Sequence, residues 1–98
     1  MFWDISKIRS DFPILSRTVN DRPLVYLDNG ASSQKPRVVI DAIETAYSQE
    51  YANVHRGLHY LSNLVTDKYE SVRGIVAKFL HVVDEDEIIL NSGTTEGI

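Results

Sequence analysis

The spacing of apolar residues along the chain predicts three helical segments. The first begins after Asp4, which suits an N-cap, and ends before Pro13. The second spans about 36–51, with Pro36 at its first helical position, and the third spans about 61–80. In the third segment the apolar positions recur in steps of three and four, as one helix face requires; they are Leu61, Val65, Tyr69, Val72, Val76 and Phe79.

Two short apolar runs, Leu24–Asp28 and Ile88–Leu90, have the composition of strands. The Asn29-Gly30 pair after the first run is also typical of a type I′ hairpin turn. No returning strand pattern follows it, so we predict an ordered loop over 29–35 that leads into a helix. An isolated pair of strands is marginal, and we therefore expect the chain to be the front part of a longer protein, one incomplete domain over 1–98.

The composition excludes several classes of function. The 98 residues carry a net charge of -4 and no basic cluster, which argues against nucleic acid as a partner. With no cysteine, the chain holds no disulfide, thiolate metal site or thiol nucleophile. No apolar run reaches the length of a membrane span, and the N-terminus does not have the pattern of a secretory signal. A cytoplasmic protein without a membrane partner is the expectation.

The stretch Gly93-Thr94-Thr95 joins an apolar run to a predicted helix start. The first amides of a helix have no intrahelical acceptor and favour an anion such as phosphate, and a Thr hydroxyl adds a donor. The alternative is structural, with Thr94 an ordinary N-cap and Gly93 a turn residue. The pattern is neither a P-loop nor a dinucleotide-binding fingerprint.

The stretch "NVHRGLH" contains His55, Arg56 and His59. Two His four residues apart can share a metal on a helix, but Gly57 lies between them and no third ligand is near, so we predict no metal site. His and Arg in a loop suit an acidic ligand better; the alternative is a solvated connector. The loop "DNGASS", with Gly30 and Ala31, either admits a substrate close to the backbone or is a plain turn.

Two positions within the 61–80 helix have a specific interpretation. Gly74 costs about 1 kcal/mol relative to Ala in a helix, which predicts a close neighbour there. Lys68 has Asp67 and Glu70 beside it, and acidic neighbours work against the lowered pKa that a Schiff-base lysine needs. His81, near the helix end, is assigned no chemistry.

Taken together, "YLDNGASSQKP", "YANVHRGLHYLS" and "SGTTEGI" resemble the N-terminal part of cysteine desulfurases in the class V aminotransferase family, in the branch that supports iron–sulfur cluster assembly. The resemblance extends from "DFPIL" to the last residue. It implies a parent α/β protein of fold type I that uses pyridoxal 5'-phosphate (PLP), forms a homodimer and is several times longer. The present chain would then be mostly α-helical, with two short strands.

The resemblance also implies roles for individual residues. Thr94 and Thr95, beside Gly93, would contact PLP, Thr95 through both its amide and its hydroxyl. Glu96 would lie near the dimer interface. The residues implied at the substrate site are Gly30 and Ala31 in the small-residue loop and His55 and Arg56 at the entrance. The family often has Ala where this chain has Gly30, which leaves the backbone path of that loop open.

In the family, L-cysteine loses its sulfur, which gives alanine and an enzyme persulfide for an acceptor protein of cluster assembly. The lysine and cysteine of that reaction would lie later in the parent. We therefore expect this chain alone to be inactive, to bind no PLP and to self-associate through exposed residues such as Val65, Val72 and Val76. The alternatives are a selenocysteine lyase or another class V enzyme, and a non-enzymatic helical interaction module.

Overall fold

The computed structural model describes residues 2–55 and 57–98. The chain divides into two compact units, Met1–Gln49 and Glu50–Ile98, which are described separately. The elements, in chain order, are helix α1 (Ile5–Ser10), a 3₁₀ turn (Pro13–Ser16), strands β1 (Thr18–Val19) and β2 (Arg22–Pro23), helix α2 (Arg37–Thr45) with a π-helical turn (Ala46–Glu50), helix α3 (Tyr60–Phe79), a 3₁₀ turn (Glu85–Glu87) and the short helix α4 (Thr94–Gly97).

Helix α1 begins and ends close to where the apolar pattern predicts. The carboxylate of Asp4 accepts a hydrogen bond from the amide of Lys7 at 3.1 Å, so the predicted N-cap is confirmed. The carbonyl of Asp11, the C-cap, accepts a hydrogen bond from the amide of Arg37 at 2.7 Å. This bond attaches the first residue of α2 to the end of α1.

The two short strands of the structure lie upstream of the predicted one. β1 and β2 form an antiparallel pair in which Val19 lies opposite Arg22. The two residues between them, Asn20 and Asp21, have φ angles of 50° and 59°, as a type I′ turn requires. The prediction of a strand over Leu24–Asp28 is wrong. The amide of Leu24 donates to the carbonyl of Arg17 at 3.0 Å, but no described segment continues this pairing over 25–28, and a strand needs a hydrogen-bonded neighbour.

Helix α2 occupies most of the predicted range 36–51. Pro36 is its N-cap, with an extended ψ of 158°, and not its first helical residue. After Thr45 the helix widens into the π-helical turn. Several large apolar side chains on α2 are exposed, including those of Val38 and Ile43.

Helix α3 matches the predicted segment 61–80 to within one residue at each end. Its C-terminus closes with a Schellman motif: the amide of Val82 donates to the carbonyl of Ala77, and the amide of His81 donates to that of Lys78. His81 takes the left-handed position, with φ of 57°, that glycine usually occupies. The structure thus gives His81 a role in ending the helix.

Arg73 fastens the segment after α3 to the helix. Its guanidinium donates to the carbonyls of Glu85 and Ile88 at 3.2 and 3.0 Å and to the carboxylate of Asp86 at 3.0 Å. A Cβ on Gly74 would lie 3.0 Å from a carboxylate oxygen of Glu85, so the predicted close neighbour is confirmed. The prediction of a strand at Ile88–Leu90 is wrong, because no described segment lies beside it as a strand partner.

Burial within the described chain is confined to small side chains. Ser62, Thr66 and Ala77, all on α3, are the buried residues, at 2%, 5% and 5% exposure. Of the three valines expected to remain exposed, Val72 is 39% exposed, whereas Val65 and Val76 are half-buried. None of the described helices combines the length and the apolar character that crossing a membrane requires.

Candidate functional site

The turn before α4 exposes Gly93, Thr94 and Thr95. Gly93 is the N-cap and has φ of 152° and ψ of -179°, a backbone region that is essentially restricted to glycine. Thr94 is therefore the first helical residue, and its alternative role as N-cap is wrong. Among the residues that the structure describes, none accepts a hydrogen bond from the amides of Thr94 and Thr95. Two amides and two hydroxyls are thus available to an anion.

Hydrogen bonds within the turn hold these donors in place. The carboxylate of Glu96 accepts from the amide of Ser92 at 2.7 Å and from the hydroxyl of the same residue. The side-chain oxygen of Asn91 accepts from the amide of Gly93 at 2.9 Å. The hydrogen bonds to Ser92, first that of the side chain and then that of the backbone, lower the pKa of Glu96. The carboxylate therefore stabilises the turn.

The second candidate segment, 53–59, folds against the start of α3. The hydroxyl of Ser62 donates to the carbonyl of Asn53 at 3.0 Å and to that of His55. His59 is the N-cap of α3, and its Nδ1 accepts from the amide of Ser62 at 3.2 Å. The side chain of His55 is exposed. The predicted role of Arg56 falls outside the described residues.

The third segment contains Gly30 and Ala31 in an ordered turn, as predicted for 29–35. The carbonyl of Asp28 accepts from the amides of Ala31 and Ser32, both at 3.1 Å. The hydroxyl of Tyr26 donates to the carbonyls of Asp28 and Ser32 at 3.2 and 2.5 Å, which closes the turn. A Cβ on Gly30 would meet no atom within 4 Å, so the alanine common in the family would fit the same backbone path.

The structure brings some of the predicted site residues together. Gly93, Thr94, Thr95 and Glu96 share one turn, and His55 belongs to the same compact unit; Gly30 and Ala31 belong to the other unit. In the described part of the chain, no three His, Cys, Asp or Glu side chains are placed to share a metal ion.

Lys68, rejected as a Schiff-base residue, forms its ion pair with Glu50. The distance from Nζ to the carboxylate oxygen is 2.6 Å. The sequence pointed to Asp67 and Glu70 as its acidic neighbours, whereas the partner in the structure comes from 18 positions upstream.

Several residues that shape these segments were missed from the sequence. Ser62 donates a hydrogen bond to the loop at 53–55, and Tyr26 donates one to the turn at 28–32. Ser92 and Asn91 make the hydrogen bonds that stabilise the turn proposed to bind phosphate. The Ser92–Glu96 pair does not match the capping-box spacing of three residues, because Glu96 lies four residues after Ser92 and the N-cap is Gly93. The side-chain partners of Ser62 and Tyr26 depend on the path of the loops.

A comparison with protein families now connects these segments. The family model described as Aminotransferase class-V matches residues 25–98, a range that includes all three candidate segments. The chain belongs to the class V aminotransferase family. Enzymes of this family are in general PLP-dependent, and the exposed amides and hydroxyls of Thr94 and Thr95 suit a phosphate group.

Individual relatives of this class V aminotransferase chain are cysteine desulfurases. It is 52% identical over 98 residues to the cysteine desulfurase of Yersinia pseudotuberculosis serotype O:1b (strain IP 31758), covering 100% of this chain and 24% of the relative. It is 48% identical over 96 residues to a probable cysteine desulfurase of Mycolicibacterium paratuberculosis (strain ATCC BAA-968 / K-10), covering 98% of this chain and 14% of the relative.

A solved structure is also similar to this chain. The apo structure of cysteine desulfurase from Thermococcus onnurineus NA1 matches with a TM-score of 0.80 and 35% sequence identity, covering 98% of this chain and 22% of that one. The class V chain therefore has the fold of the corresponding part of a cysteine desulfurase, and it spans about a quarter or less of the length of these relatives.

Proposed function

We propose that this chain is the N-terminal part of a PLP-dependent cysteine desulfurase, which removes sulfur from L-cysteine to give alanine and an enzyme persulfide for iron–sulfur cluster assembly. The observation that carries the proposal is the 52% identity to a cysteine desulfurase over all 98 residues. Membership of an enzyme family argues against a non-enzymatic helical module, and nothing in the three segments favours a selenocysteine lyase.

The turn at 93–95 is proposed to hold the phosphate of PLP. The amides of Thr94 and Thr95 and their hydroxyls would donate to phosphate oxygens, and Gly93 lets the backbone approach the ligand closely. The carboxylate of Glu96 accepts from Ser92, and among the described contacts it accepts from neither of these threonines. When bound, PLP supplies an electron sink for bonds at the substrate Cα.

The loops at 30–31 and 55–56 are proposed to form part of the substrate site. Gly30 and Ala31 carry little side-chain volume and leave room for an amino acid beside the backbone. His55 and Arg56 would lie at the entrance, where an imidazole and a guanidinium suit a carboxylate. The proposed role of these four residues is to bind and orient L-cysteine.

The remaining groups of the reaction would come from the rest of the full-length protein. This chain contains no cysteine to accept sulfur, and its Lys68 is paired with Glu50. Glu96 is proposed to lie near the interface of a homodimer. A cytoplasmic enzyme that passes sulfur to an acceptor protein of cluster assembly completes the proposal.

The test is a substrate comparison with the full-length protein that contains this chain, purified and supplied with PLP. We expect stoichiometric PLP and alanine from both L-cysteine and L-selenocysteine, with sulfur from L-cysteine retained on the protein until an acceptor thiol is added. A protein that releases alanine only from L-selenocysteine is a selenocysteine lyase. A protein that neither binds PLP nor releases alanine is not the enzyme proposed.

A further inference from the structure

We infer that Ser62 is a positioning residue that holds the segment 53–55, and with it His55, in the arrangement in which the substrate is bound. The inference rests on the proposed function, because it assigns His55 to the substrate entrance. Ser62 is not itself expected to touch the substrate: it is 2% exposed and belongs to α3.

The evidence is a set of hydrogen bonds that converge on one small buried residue. The Ser62 hydroxyl donates to the carbonyls of Asn53, at 3.0 Å, and of His55. One hydroxyl proton is thus shared by two carbonyl oxygens from a loop that makes no regular secondary structure over 51–55. A Cβ built on Gly57 would lie 3.7 Å from the same oxygen, at ordinary van der Waals distance.

The backbone of Ser62 is held in turn. Its amide donates to Nδ1 of His59, the N-cap of α3, at 3.2 Å. The first turn of α3 therefore fixes the position of the hydroxyl that donates to the loop. The result is a loop whose carbonyls face inward while the side chain of His55 stays exposed.

Removing the Ser62 hydroxyl would leave two loop carbonyls without that donor. Each lost intramolecular hydrogen bond removes a net stabilising contribution, so the loop would sample other conformations and the backbone that carries the His55 imidazole would lose its defined path. The chemical step, which depends on groups elsewhere, would change little. The predicted signature is a weaker affinity for L-cysteine with a nearly unchanged turnover number.

Thr66 provides the matched control. It is also buried, at 5% exposure, and its hydroxyl donates to the carbonyl of Ser62 at 2.7 Å. That carbonyl lies within α3 and accepts the helical bond from residue 66 as well, so Ser62 keeps its place without the hydroxyl. Among the described contacts Thr66 makes no hydrogen bond to the loop. Thr66→Val preserves the branched shape and removes the hydroxyl. A general weakening of α3 would affect both variants, whereas loss of the loop anchor would affect Ser62→Ala alone.

The experiment compares Ser62→Ala and Thr66→Val in the full-length PLP-bound protein. For Ser62→Ala we expect the KM for L-cysteine to rise about tenfold, kcat to change by less than about twofold, and amide hydrogen exchange in 53–55 to rise about tenfold. Thr66→Val should change none of the three. If Ser62→Ala does not yield PLP-bound protein, Ser62→Cys, a weaker donor of similar size, is measured instead with smaller changes expected in the same direction.

The two proposals fail in different ways. Unchanged exchange in 53–55, or raised exchange with an unchanged KM, overturns the role of Ser62 while the desulfurase activity stands. Equal losses in both variants overturn it as well, because they indicate a structural role only. If the wild-type protein releases no alanine, the proposed function fails, and a raised exchange in Ser62→Ala alone would still support the anchoring of the loop.

Discussion

Ser92 donates both its backbone amide and its hydroxyl to the carboxylate of Glu96. This single pair closes the turn in which Gly93, Thr94 and Thr95 present their donors. Glu96, which the family resemblance places near a dimer interface, therefore also stabilises a turn within this chain. The electrostatic consequence is a pKa of Glu96 below its ordinary value of 4.5.

The lowered pKa of Glu96 predicts how the turn responds to acid. The ionised carboxylate is favoured in the folded turn, so its stabilising contribution is complete above pH 4.5 and is lost as pH falls through the lower folded-state pKa. We expect the amide resonance of Ser92 to shift in an acid titration with a midpoint below 4.5. Ser92→Ala should move the pKa of Glu96 back towards the ordinary value, and a wild-type midpoint at or above that value would contradict the hydrogen-bonded turn.

The backbone conformation of Gly93 predicts a penalty for any side chain there. Gly93→Ala in the full-length protein should lower the free energy of unfolding by about 1–3 kcal/mol, because its φ and ψ lie in a region essentially restricted to glycine. Gly30→Ala is the control, since a Cβ there meets no atom within 4 Å; it should change the free energy by less than about 0.5 kcal/mol. Equal losses in denaturant unfolding would show that Gly93 does not need this conformation.

The donors of Thr95 predict a specific loss of cofactor affinity. Thr95→Val removes the hydroxyl and keeps the backbone amide. A hydrogen bond to a charged group contributes about 1.5–3 kcal/mol, so the dissociation constant of PLP from the full-length protein should rise about 10- to 150-fold. Thr45→Val, at the exposed end of α2, should leave it unchanged. An unaltered dissociation constant for Thr95→Val would remove this turn from the proposed phosphate site.

The exposed apolar residues of α3 predict that the 98-residue chain self-associates. Ile75 and Phe79 are 66% and 81% exposed, and exposed apolar patches favour association in water. Sedimentation velocity should show a weight-average mass that rises with concentration, and Ile75→Lys should reduce the rise. Ser71→Lys, which adds the same charge at an exposed polar position of α3, should have a smaller effect. A monomer at every concentration would refute the prediction.

The helices could be predicted from sequence because their signals are local. The repeat of apolar residues located α3 to within one residue at each end, and Asp4 marked the start of α1. The strands could not, because a strand depends on its partner. Leu24–Asp28 has the composition of a strand, but in the described chain it has no strand partner beyond the bond from the amide of Leu24 to Arg17. The turn at Asn20 and Asp21, in contrast, pairs β1 with β2 although each strand has two residues.

The candidate site was predictable to the level of its segments. Gly93 and the two threonines could be read as an anion-binding turn, because the chemistry lies in consecutive residues. The anchors could not be read, because Ser62 acts on residues seven and nine positions upstream. Such bonds follow from how a loop folds back on a helix, which no local pattern encodes.

The most direct test of the account is alanine release from L-cysteine, measured with PLP present for the full-length protein and for the 98-residue chain side by side. The account predicts repeated turnover by the full-length protein and no alanine from the chain, which has no cysteine to accept sulfur. A full-length protein with bound PLP that releases no alanine from L-cysteine would contradict the proposed activity. Alanine formed by the 98-residue chain alone would contradict the assignment of the reacting groups to the rest of the protein.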